Sequence, residues 1–151
     1  MAVRRFAARV LVLDDDGRLL LFHWANRARG TSWWATPGGG LEDGERAADA
    51  ARRELREECG IEAVELEGPL WRSDHFFRSG VDLFHQYETF FLARVPGSEP
   101  PIVVTGLDPI EAEASLGHRW WTAAELEATS ERVFPIDLGE RLAGLAAAPR
   151  G

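Results

Sequence analysis

The segment from Glu45 to Cys59 reads ERAADAARRELREEC and contains no helix breaker. Its Ala, Glu and Arg content favours helix, and Gly60 stands where a C-terminal cap belongs. Directly upstream lies Pro37-Gly38-Gly39-Gly40. Ala25 to Gly44 therefore reads as a loop, too rich in glycine for a continuous strand. A helix launched from such a loop must cover its apolar side, and strand patterns on both sides offer a sheet to do so. This one segment organises the rest of the chain.

The flanking signals are weaker but consistent. Phe6 to Leu13 alternates and ends in Asp14-Asp15-Asp16-Gly17, a turn signal, and Arg18 to Trp24 reads as the returning strand of a hairpin. Ile61 to Trp71 and Phe84 to Val95 read as strands, with a turn at Arg78-Ser79-Gly80 between them. Pro96 to Pro101 reads as a surface loop. Arg119 to Thr122 predicts a short strand, Ala123 to Ala128 a short helix, and Pro135 opens a last helix through Ala147. Mixed strands with two or three helices place the fold in the α+β or α/β class. A length of 151 residues, with no repeat and no linker, predicts a single domain over residues 1–151.

Composition excludes several functions. Hydrophobic content of 45% and charged content of 28% are those of a soluble globular chain. No apolar run approaches a membrane span, and the start, Met1 to Phe6, lacks the apolar stretch of a secretory signal, so a cytoplasmic protein with no membrane partner is expected. Cys59 is the only cysteine, which rules out an internal disulfide and a cysteine-built zinc site. The net charge is −8, and every one of the 17 basic residues is Arg. Such an acidic chain disfavours broad electrostatic binding to nucleic acid. Much of the excess acid lies between Glu42 and Glu67, and a concentrated acidic patch suits a cation.

On a helical wheel with Glu54 at zero, Glu57 falls at about 300° and Glu58 at about 40°. Leu55, Ala48 and Cys59 lie beside them, while Arg52, Arg56 and Asp49 take the opposite side. A charge run on a helix is ordinarily a solvated face laced by i,i+4 pairs. That reading does not explain three like charges in one arc with most cations behind them. Like charges at this spacing repel, and bordering the core raises their cost unless something positive is present. Hard oxygen ligands in this arrangement suit Mg²⁺ or Mn²⁺. The glycine triplet before the helix adds a backbone that a ligand can approach closely.

Gly39 to Ile61 resembles the Nudix box, Gly-x5-Glu-x7-Arg-Glu-U-x-Glu-Glu-x-Gly-U, with U aliphatic. Each fixed position is filled, by Gly39, Glu45, Arg53, Glu54, Leu55, Glu57, Glu58, Gly60 and Ile61. The Trp34-to-Gly39 approach and the Arg119-Trp-Trp-Thr-x-x-Glu-Leu126 segment are also similar to Nudix domains. The resemblance implies an α/β/α sandwich with a mixed sheet flanked by helices, and box residues 39–61 within a single Nudix domain. It implies a hydrolase that splits the diphosphate bond of a nucleoside diphosphate linked to another moiety, using Mg²⁺ or Mn²⁺.

By the same resemblance, Glu54, Glu57, Glu58 and the Gly38 carbonyl hold metal, and Glu45 and Arg53 orient the glutamates from behind. The general base is either Glu54 or a downstream glutamate. Glu113 is the best placed of these, with Glu111 and Glu88 behind it. Arg27, Arg29 and Arg72 are candidates to hold substrate phosphates, and Trp34 to stack on a base, although each also reads as an ordinary surface or core residue. Cys59 reads as a small buried hydrophobe.

The substrate class stays broad. The Pro found downstream of the box in many ADP-ribose enzymes is absent, with Phe76 and Phe77 in its place, and the strings marking NADH and dinucleoside-polyphosphate enzymes are missing. Nucleoside triphosphates, nucleotide sugars and small organic diphosphates remain, and a homodimer is frequent in the family. A Nudix-fold isomerase is expected to carry its cysteine in a strand or loop, whereas Cys59 falls in the helix. A non-catalytic nucleotide-binding Nudix module is the other alternative; such modules commonly lose box glutamates that this chain keeps.

Overall fold

The computed structural model describes residues 1–147. The chain divides into two units, one of Met1–Leu11, Pro37–Ala93 and Ile102–Gly106, the other of Val12–Thr36, Arg94–Pro101 and the chain from Leu107.

In the first unit, strand β1 (Val3–Leu13) contributes its residues up to Leu11. It is flanked on one side by β4 (Gly38–Gly40) and on the other by β6 (Asp82–Arg94), which in turn pairs with β5 (Leu66–Ser79). β5 and β6 form one long antiparallel hairpin from Leu66↔Ala93 to Ser79↔Asp82. The turn sits at Gly80, whose φ of 62° is left-handed and suits glycine. The strand predicted at 61–71 begins only at Leu66 and runs on to Ser79, through two of the three expected turn residues, and the one predicted at 84–95 begins at Asp82, so the two form one hairpin.

The glycine run departs from the expectation of a loop. Gly38, Gly39 and Gly40 pair in antiparallel register with Arg9, Ala8 and Ala7. Gly38 has φ 142°, and a Cβ there would lie 2.1 Å from the Ala8 carbonyl oxygen. Only a residue without a side chain can lie that close to β1, so the glycines make this pairing possible.

Helix α1 (Ala47–Glu54) follows, and Leu55–Cys59 continues it as a π-helical turn. The expected single helix over 45–59 therefore starts two residues later and widens after Glu54. Gly60, at φ 70°, ends it, with its N–H donating to the Arg56 carbonyl and the Ile61 N–H reaching back to Leu55. Ala50, Ala51, Leu55 and Cys59 are buried, whereas Asp49, Arg52 and Arg56 are exposed, as the wheel predicted for that face. Ala7, Ala8, Val10, Leu11, Phe90 and Phe91 complete the unit's core.

In the second unit, β2 (Leu19–Asn26) lies between β3 (Thr31–Ala35) and β7 (Ser115–Trp121), both antiparallel to it. β8 (Val133–Phe134) runs parallel to β3, which makes the sheet mixed. β3 and β8 were not anticipated: β3 lies within the stretch expected to be a loop, and the two-residue β8 carries no periodic signal. The helices are α2 (Pro109–Ala114), α3 (Ala123–Ala128) and α4 (Leu138–Ala147). α3 has the predicted bounds, set by a capping box between Thr122 and Glu125. α4 begins three residues after the expected Pro135. Leu19 to Phe22, Trp34, Trp120, Trp121, Leu138 and Leu142 form this core. The class is α+β, as expected.

Candidate functional site

Arg53 organises the acidic helix. Its Nε and Nη2 donate to the two oxygens of Glu45 at 3.0 and 2.9 Å, and Nη2 also donates to the Gly40 carbonyl at 3.0 Å. Nη1 donates to Glu54 at 3.0 Å and to Glu57 at 3.4 Å. One guanidinium therefore ties the glycine strand, the helix start and two box glutamates together. The Arg53 hydrogen bond holds the Glu45 carboxyl down at about 2. Reciprocally, Glu45 raises the pKa of Arg53 above its already high ordinary value.

Each glutamate has a different setting. The Glu54 carboxylate lies over Gly39, where a Cβ would sit 2.7 Å from its Oε1. Glu57 is the most open, with its side chain 39% exposed against 12% for Glu54. Glu58 is buried at 5%, deeper than a residue bordering the core. It lies in the π-helical turn, whose wider winding takes it off the 100° phase of an α-helix. Cys59 beside it is buried and unpaired by any disulfide; burial, then the charges of Glu58 and Glu54, push its thiol pKa up.

A segment that sequence reasoning passed over completes the turn. The N–H groups of Thr105 and Gly106 both donate to the Glu57 carbonyl, at 2.9 and 3.0 Å, and Val103 donates to Cys59 at 3.1 Å. A Cβ on Gly106 would come within 2.6 Å of the Glu57 Cβ. The turn residue Gly106 was the only signal available.

The Gly38 carbonyl accepts from Arg9 Nη1 at 3.2 Å, and Arg9 Nε donates to Glu88 at 2.6 Å. Glu88 also accepts from Gln86 at 3.3 Å and meets His75 Nδ1 at 3.3 Å. Arg72 lies on β5, opposite Thr89, and lines a cavity of about 250 Å³ with Phe6, Tyr87 and Glu88.

The remaining candidates belong to the second unit. Glu113 lies on the short helix α2, started by the Asp108–Glu111 capping box with Pro109 at its first turn. Glu111 is engaged in that cap. Arg27 Nε donates to the Glu113 carbonyl at 3.2 Å, and Arg29 is exposed in the turn closed by Asn26. Trp34 is 8% exposed, stacked on His23 at 4.1 Å and edge-on to Trp121. It presents little surface to a ligand, and its place is in the core.

Among the described residues, no three acidic, histidine or cysteine side chains stand together as a ready-made metal cage. Arg53 Nη1 lies between two of the box carboxylates, 3.0 Å from Glu54 and 3.4 Å from Glu57. The donor set nevertheless fits a hard divalent cation. Carboxylates of Glu54 and Glu57 converge on one nitrogen, with glycine backbone alongside.

A family model described as NUDIX domain matches residues 3–141. The chain belongs to the Nudix family. An RNA pyrophosphohydrolase of Caulobacter vibrioides is 31% identical over 139 residues, covering 86% of this chain and 77% of that protein. The RNA pyrophosphohydrolase of Teredinibacter turnerae is 40% identical over 58 residues, which is 38% of this chain and 32% of its own length. The match thus spans about a third of that curated relative. The structure of the Escherichia coli dihydroneopterin triphosphate pyrophosphohydrolase superposes with a TM-score of 0.62 at 22% identity, covering 83% of this chain and 86% of that one. That likeness establishes the Nudix fold. No described helix is long and apolar enough to cross a membrane.

Proposed function

We propose that this Nudix domain, a single domain over the whole chain, hydrolyses the diphosphate bond of a nucleoside diphosphate linked to another moiety. Mg²⁺ or Mn²⁺ would be held by Glu54, Glu57, Glu58 and the Gly38 carbonyl. The observation that carries this reading is the convergence of Glu54 and Glu57 on a single Arg53 nitrogen, beside a backbone without side chains. When bound, such a cation lowers the pKa of a coordinated water and absorbs charge on phosphate oxygens.

The chain's own residues do the positioning. Arg53, fixed by both oxygens of Glu45, aims the carboxylates, which a planar fork does better than an ammonium. Glu113, on a capped helix, is the proposed base outside the box, with Glu54 the one inside it. Arg27, whose Nε donates to the Glu113 carbonyl, Arg29 and Arg72 are each candidates to hold a substrate phosphate. The expected setting is cytoplasmic, and sedimentation would read whether the chain forms the homodimer frequent in the family.

The names of the RNA pyrophosphohydrolase relatives favour a triphosphate from which diphosphate leaves, and the net charge of −8 favours a small nucleotide over a long nucleic acid. The test is product release from nucleoside triphosphates, nucleotide sugars, ADP-ribose and triphosphorylated RNA, with Mg²⁺, Mn²⁺ or chelator, beside Glu57→Gln. Turnover of one substrate that needs metal and disappears in Glu57→Gln is expected. Tight metal-dependent binding without turnover of any substrate would reverse the reading in favour of a nucleotide-binding module.

A further inference from the structure

Arg9 and Glu88 lie far apart in sequence, outside the box, and resemble no part of it. β1 and β6 bring them together beside Gly38. Arg9 stands directly across from Gly38 in the β1–β4 register, and a Cβ on that glycine would lie 2.9 Å from the Arg9 Cδ. The Arg9 stem therefore packs against the bare glycine backbone. Its guanidinium divides its donors: Nη1 reaches the Gly38 carbonyl at 3.2 Å and Nε reaches Glu88 at 2.6 Å.

Glu88 is 9% exposed, with Oε2 accepting from Arg9 and Gln86 and Oε1 lying 3.3 Å from His75 Nδ1. A carboxylate so occupied is badly placed to take a proton from water, which argues against its use as a base. A peptide carbonyl has two lone pairs, so the one held by Arg9 leaves the other for a further ligand. A guanidinium at that distance would repel a divalent cation on the same oxygen, unless a carboxylate neutralises it. Glu88 is that carboxylate.

We infer that Arg9 and Glu88 are positioning residues for the Gly38 carbonyl: Arg9 fixes the direction of the oxygen, and Glu88 cancels the charge of Arg9 so that a divalent cation can approach. The inference rests on the reading above that Gly38 and the box glutamates hold a cation. It also separates Glu88 from the candidate bases, because its effect passes through Arg9.

The experiment is Mn²⁺ binding to the full chain by electron paramagnetic resonance, for wild type, Glu88→Gln, Arg9→Lys and the double variant Arg9→Met/Glu88→Gln. Glu88→Gln is expected to weaken Mn²⁺ binding about tenfold, the lower end for residues that orient metal ligands. The double variant, which removes the uncompensated charge, should recover part of that loss. Turnover by Glu88→Gln should return toward wild type at saturating Mn²⁺. Arg9→Lys keeps the charge but cannot span both partners, and it too should weaken Mn²⁺; it serves where Glu88→Gln folds poorly. Unchanged Mn²⁺ affinity in Arg9→Lys, or a fall in turnover of Glu88→Gln that saturating Mn²⁺ does not restore, would overturn the inference. Glu57→Gln run alongside separates the two levels. Loss of Mn²⁺ binding there, with wild-type affinity in Arg9→Lys, overturns the inference alone. Wild-type affinity in Glu57→Gln overturns the cation site and the inference with it.

Discussion

Arg53 grips Glu45 by two parallel hydrogen bonds, at 2.9 and 3.0 Å, across eight residues of sequence. The pair locks the entry to α1 to its last turn, where Glu54 begins the acidic arc. Two flat groups meeting edge to edge resist rotation, so the Nη1 left over points consistently at Glu54 and Glu57.

Replacing Arg53 by Lys preserves the charge and removes the fork. Turnover is expected to fall by about ten- to a hundredfold, the range seen when groups that orient metal ligands are lost. Steady-state kinetics at saturating Mg²⁺ would check it. Wild-type kcat would show that charge alone suffices.

Glu45 predicts a pH dependence of stability. Its pKa is lowered from 4.5 to about 2, chiefly by the Arg53 hydrogen bond. The depressed folded value means that the contribution is present above the unfolded pKa and is lost as pH falls through the window between 4.5 and 2. In urea unfolding, wild type should exceed Glu45→Gln by a constant margin above pH 5 and converge on it between roughly pH 4 and 2. A margin independent of pH would exclude this carboxylate as the source.

Two neighbouring glycines should respond differently to Ala. At Gly38 the new Cβ meets a backbone oxygen at 2.1 Å with φ at 142°, so β1 and β4 must part, and a loss of about 3 kcal/mol or more is expected. At Gly39 it meets the end of the Glu54 side chain at 2.7 Å, which can swing away. Gly39→Ala should then cost about 1 kcal/mol of stability while turnover drops sharply. Thermal melts and kinetics on both variants would reveal whether the order holds.

Cation binding should raise the melting temperature of the wild type. At a hundred times the dissociation constant, the added stability is about 2.7 kcal/mol by mass action. Glu57→Gln should melt at the same temperature with and without Mn²⁺. An equal rise in both would place the ion elsewhere.

The box could be read directly because its information is local. Arg53, Glu54, Glu57 and Glu58 lie on one short helical stretch with Glu45 just ahead of it, so short-range spacing brings them together. The exposed back, Asp49, Arg52 and Arg56, followed from the same periodicity, as did α3 from its Thr122–Glu125 cap. α2 had a comparable signal in Asp108-Pro109-Ile110-Glu111, which the surrounding turn residues masked.

What only the tertiary structure decided depends on backbone pairing between distant segments. The glycine run became a strand because β1 comes close enough to exclude a Cβ, a property of two chains in contact and not of either alone. The π-helical turn that buries Glu58 is laced by N–H groups of Val103, Thr105 and Gly106, more than forty residues downstream. Arg9 and Glu88 meet 79 positions apart, and nothing in either local sequence distinguishes them from surface charges. The sequence by itself determined the acidic helix, its glycine approach and the family. The contacts that aim the Gly38 carbonyl and bury Glu58 needed the folded chain, because hydrogen bonds between strands and to a distant loop have no period along the sequence.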